Sequence, residues 1–195
     1  MKQTLFTRSI TALALTLIAA PAMAHVDPAE HGSVAAGFTH PIFGTDHVLA
    51  MIAVGLWAAM LGGRTAWAVP AAFVGAMALG FGLSLIGLPL PVVEPLILAS
   101  VIVMGLLVAL AVKVPMTTGI AVVAVLAVFH GHAHGSEMGG AGPLAYLAGF
   151  VGATALLHMT GVALGLGLAR FSQGTVLRGL GGAVATLGAW LALAG

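Results

Sequence analysis

Two short stretches of this chain hold seven of its thirteen histidines and carboxylates. One reads His40-Pro-Ile-Phe-Gly-Thr-Asp46-His47, the other His130-Gly-His132-Ala-His134-Gly-Ser-Glu137. Imidazole and carboxylate with no cysteine form the donor set of a borderline divalent cation such as nickel, cobalt or zinc. Each stretch lies against an apolar run long enough to enter a bilayer, where ionisable groups are costly and mark a pathway or a site. His130, His134 and Glu137 are spaced i, i+4, i+7, within about 60° on one face of a helix. Two imidazoles one turn apart can chelate a single ion. His132 points to the other side, where it is a solvated or outer capture group. His158 stands alone in an apolar stretch, either as an interhelical hydrogen-bonding group, through Thr160, or as a station on a transport path.

The elements that must hold these residues are membrane helices. Only 6% of the residues are charged and 61% are hydrophobic, whereas a soluble domain carries about a quarter charged residues. Residues 1–24 read as a signal peptide: Lys2 and Arg8, an apolar stretch from Ile10 to Ala20, and Ala22-Met-Ala24 as a small-x-small cleavage site. Cleavage would leave His25 at a free amino terminus, where it and His31 could chelate a metal. The remainder, 25–195, is expected to be an all-α bundle of six transmembrane helices: Val34 to Leu61, Trp67 to Leu88, Val92 to Val112, Thr117 to about Ala133, Leu144 to Ala169, and Val176 to Leu193. Glycine, proline and charged residues punctuate the gaps. No soluble domain or nucleic-acid module is visible.

The first span is longer than a crossing requires and is interrupted at Pro41 and Gly44, so a break is expected between His40 and Asp46. Broken helices at membrane depth face a cavity or an ion. A structural alternative has Thr45 capping a new helix and Asp46 complementing its dipole, which leaves His47 unexplained. Met51, one turn after His47, reads as packing. Capping at the start of the third span accounts for Glu94, and Gly161 and Gly165 form a small-xxx-small contact. Trp57, Trp67, Trp190 and Tyr146 give at most a weak interfacial belt.

Charge sets the expected orientation. With the mature amino and carboxyl termini outside the inner membrane, the inner loops hold Arg64, Lys113, Arg170 and Arg178, as the positive-inside rule requires. The acidic residues and every histidine but His158 then lie towards the outside.

His40-Pro41-x-x-Gly44-x-Asp46-His47 resembles the signature of the HupE/UreJ proteins. Phe129-His130-Gly131-x-Ala133-His134-Gly135-x-Glu137 and His158-x-x-Gly161 are similar to that family's later motifs, and the resemblance runs over essentially the whole chain. It implies an inner-membrane permease with Ni2+ or Co2+ as transported substrate and no prosthetic group, linked to hydrogenase or urease maturation. It also implies a metal role for His40, Asp46, His47, His130, His134 and Glu137, and with less force for His158. The same ligands would suit a rival, an intramembrane zinc hydrolase. A third reading is an accessory protein that binds metal without moving it.

Overall fold

A computed structural model describes residues 34–139, 142–172 and 174–194. The expectations for residues 1–24, His25 and His31 fall outside these. Seven helices appear among the described residues, in chain order α1 Val34–Phe43, α2 Thr45–Leu61, α3 Thr65–Leu85, α4 Val93–Ala109, α5 Met116–Glu137, α6 Pro143–Ser172 and α7 Thr175–Ala194.

The expected first span is two helices. α1 and α2 meet at an 85° bend, with Gly44 as the extended N-cap of α2 (φ −78°, ψ 109°). Pro41 sits inside α1 and does not itself end it. Its missing N–H withdraws the donor that would serve the Gly37 carbonyl one turn back, while the Gly44 N–H donates to the His40 carbonyl at 3.2 Å, so the chain stays hydrogen-bonded up to the turn. The structural alternative of a Thr45 cap is not seen: Thr45 is the first helical residue, and no side chain caps the helix.

Four helices (α3, α5, α6 and α7) are each long and apolar enough to cross a membrane, and α1 with α2 makes a fifth span if the bent pair counts as one. α4 is apolar but has 17 residues, about 26 Å of helix. That falls short of a hydrocarbon core of about 30 Å. The expected count of six is therefore met only in its coarser form, a multi-span all-helical bundle.

Helices in lipid gain no hydrophobic drive against one another and rely on close backbone approach. Glycine provides that approach at four crossings. Gly37 and Gly149 bring α1 and α6 together, Gly55 and Gly161 join α2 to α6, Gly80 and Gly131 join α3 to α5, and Gly105 and Gly181 join α4 to α7. At all eight positions a Cβ would overlap backbone of the opposite helix. The contacts also set directions: α2 runs parallel to α6 and α3 parallel to α5, while α4 and α7 run antiparallel. Gly161 packs as the sequence suggested, and Gly165 meets Ala59 and Leu56 of α2.

Basic residues gather at one end of the bundle. Trp57 Nε1 donates to the Val112 carbonyl at 2.8 Å, and Arg178 Nε donates to the Ala109 carbonyl at 2.9 Å. These bonds place the end of α2, next to Arg64, beside the loop of Lys113 and the start of α7. The bend, the end of α5 and the start of α6 lie at the other end. The aromatic belt is corrected: Trp57 and Tyr146 are fully buried, and only Trp67 and Trp190 are exposed.

Candidate metal centre

The site is built where four helix ends converge. α1 brings His40 in its last turn, α2 brings Asp46 and His47 in its first, α5 brings His130, His134 and Glu137 at its end, and α6 brings Tyr146 near its start. α5 runs four residues beyond the expected Ala133, so the whole second motif is helical. Its i, i+4, i+7 spacing therefore places the three donors on one face.

At the mouth, His40 Nε2 and Glu137 Oε2 are 3.1 Å apart, both partly exposed. With His134 they form a cluster whose donor atoms all lie within 4.8 Å of one another, a spacing that suits one metal ion. Below it the rings crowd together. His134 lies 4.9 Å from His40 and 4.6 Å from His47, and His47 lies 4.9 Å from His130, centroid to centroid. His134 thus belongs to both layers. Deeper still, Phe73 stands between His130, at 5.7 Å, and His158, at 5.0 Å. Met51 is buried core, as expected.

Three deep histidines are each held by one ring nitrogen and left bare at the other. His47 Nδ1 donates to Asp46 Oδ1 at 3.1 Å; His130 Nε2 pairs with Ser100 Oγ at 2.8 Å; His134 Nδ1 faces the Tyr146 hydroxyl at 3.4 Å. The opposite atoms, His47 Nε2, His130 Nδ1 and His134 Nε2, are buried with no hydrogen-bond partner. Buried polar groups are overwhelmingly paired, so such a set calls for an explanation. A neutral imidazole whose N–H is held by a fixed partner offers its other nitrogen as a lone pair, the arrangement found at metal-ligating histidines. The donor set fits a divalent cation.

His158 is buried, and both its ring nitrogens lack partners. Thr160 donates to the Leu156 carbonyl on its own helix, so the proposed Thr160 bond does not form. His132 Nε2 donates to the Leu88 carbonyl at 2.8 Å, a structural role away from the cluster. Glu94 sits in the first turn of α4, where its charge suits the helix dipole, but the N-cap is Val92 and no side chain caps the helix, so the expected capping role is not seen.

Six of the seven sequence-selected residues thus come together in one cluster, and His158 stands apart from it, with Phe73 against both His130 and His158. Sequence reasoning missed Ser100, Phe73 and any polar role for Tyr146. Ser100 had a readable signal as a hydroxyl inside the apolar run of α4. Phe73 had none.

The profile described as HupE / UreJ protein matches residues 13–191. A curated relative, "Protein HupE" of Rhizobium leguminosarum bv. viciae, is 46% identical over 194 residues, covering 98% of each chain. No solved structure matches. With this coverage and identity, the chain belongs to the HupE/UreJ family.

Proposed function

We propose that this protein is an inner-membrane permease for a divalent transition metal, Ni2+ first and Co2+ second, serving hydrogenase or urease maturation. The observation that carries the reading is the set of three bare, buried imidazole nitrogens on rings 4.6–4.9 Å apart. The ion is captured by His40, His134 and Glu137, passes to His47 and His130, with Asp46 supplying negative charge, and reaches His158 past Phe73. His134 is the handover point because it serves two layers. Sharing of few ligands keeps each stop weak enough to leave, as conduction requires.

In this reading the bundle has six spans, with α4 the short one, and follows a cleaved signal peptide. The basic end faces the cytoplasm, in keeping with the positive-inside rule, and the ligand-rich mouth faces the periplasm with both mature termini. An inward-negative potential of 100 mV then favours entry of a divalent ion by about 4.6 kcal/mol, on the order of a thousandfold accumulation. Family membership lends no support to the zinc hydrolase.

Liposomes loaded with a metal-sensitive dye test the proposal. Wild-type protein should admit Ni2+, and His47→Ala should lose that entry. A tightly retained stoichiometric zinc with no flux would return the enzyme reading, and binding without flux would return the accessory one. Acidity supplies a second check. Protons compete with metal for imidazole, and a protonated ring cannot ligate. Initial uptake is expected to be lower at an outer pH of 5 than at pH 7, because protons compete with the ion for ring nitrogens at the mouth. Uptake that holds steady between these pH values would count against histidine ligands.

A further inference from the structure

α4 contributes none of the residues assigned above to the metal path, yet it places one hydroxyl deep inside the bundle. Ser100 is 1% exposed. Its Oγ lies 2.6 Å from the Ile97 carbonyl and 2.8 Å from His130 Nε2. A carbonyl oxygen only accepts, so the single hydroxyl proton is spent on Ile97. The remaining capacity of Oγ is as an acceptor, and the ring must donate to it. His130 is therefore protonated at Nε2. In the neutral ring the lone pair then falls on Nδ1, the atom that is buried and unpartnered and belongs to the ring 4.9 Å from His47.

The inverse arrangement is disfavoured by the same chain of bonds. A ring protonated at Nδ1 would put that N–H where it has no acceptor, and would require the Ser100 hydroxyl to turn from the Ile97 carbonyl to serve Nε2. An unmade buried hydrogen bond costs about 1–3 kcal/mol, enough to hold one tautomer at the expense of the other. Ile97 supports Ser100 in turn, because the i−3 carbonyl of a helix is fixed by the backbone.

We propose that Ser100 is a positioning residue, holding His130 as the Nε2–H tautomer so that Nδ1 faces the ion. It touches no metal. Its effect is to pre-set which nitrogen of His130 is the ligand and to keep the ring from turning. This rests on the permease reading for the identity of the ion, but the tautomer itself does not depend on it.

The experiment reads both parts. 15N-histidine NMR of the metal-free chain in bicelles should show His130, identified by its absence in His130→Ala, with its proton on Nε2. Ser100→Ala should lose that single tautomer, and Ser100→Thr, which keeps the hydroxyl, should retain it. Ni2+ affinity of Ser100→Ala should drop about 10–100-fold, the usual effect of losing such a partner. In a His130→Ala background the same change should have no further effect. A wild-type ring protonated at Nδ1, or an Ser100→Ala affinity equal to wild type, overturns the assignment, and the wild-type spectrum decides even if a variant fails to fold. A wild-type chain that shows the Nε2 proton but binds no Ni2+ overturns the permease reading and the ligating half of this proposal, leaving the hydrogen-bond chain standing.

Discussion

His134→Ala is expected to lower the initial rate of Ni2+ entry into liposomes by at least about a hundredfold. Loss of a mere supporting partner of a metal ligand already costs roughly 10–100-fold, and His134 is counted in both layers of donors. Its removal should therefore disable capture and handover at once. The fold should survive. Truncating a large buried side chain costs about 2–5 kcal/mol through the cavity left, but the change also removes a buried ring nitrogen with no partner, whose burial costs about 1–3 kcal/mol. These terms oppose each other, so melting temperature should move little while transport collapses. Entry within threefold of wild type would remove His134 from the path.

The second large effect is expected at a residue with no polar atom in its side chain. Gly131 lies between His130 and His134 in the motif, and a Cβ there would overlap the carbonyl of Met77 on α3. That obstacle is backbone and cannot rotate away. Gly131→Ala should push α5 from α3 and destabilise the protein by about 3 kcal/mol, the upper part of the range for overpacking. Because His130 and His134 ride on α5, Ni2+ affinity should fall along with the melting temperature. Gly75→Ala on α3 is the matched control: nothing lies within 4 Å of its would-be Cβ, and alanine is the better helix former. It should be neutral or slightly stabilising. Thermal melting in detergent with Ni2+ titration of both variants checks the pair; equal behaviour would mean the α3–α5 crossing does not position the ligands.

The donors were legible in the sequence because ionisable groups stand out against an apolar background, and because i, i+4, i+7 spacing reports a helical face whatever that helix packs on. The break in the first span was legible for a similar reason, since Pro41 and Gly44 act locally. Its sharpness was not, and the residue that ends α1 is Gly44, not the proline. Partners across the bundle were harder. Which glycine meets which carbonyl depends on crossings between helices distant in sequence, so the pairing of Gly80 with Gly131 has no local trace. Trp57 and Tyr146 were read towards the interface because amphipathic rings favour it. Burial with a polar partner is the other way to satisfy such a ring, and Trp57 takes it through Val112. His132 differs from its neighbours only by phase on the helix, and phase correctly set it apart.

His158 is the last imidazole before the basic end, and neither a histidine nor a carboxylate follows it among the described residues of that half. In the permease reading, an ion released there would meet four cationic side chains and no further imidazole or carboxylate among the described residues, in a field that discourages lingering. Departure would then be governed by how quickly water or an acceptor reclothes the metal at the basic end. The bundle would behave as a rectifier, sticky on entry and slippery on exit.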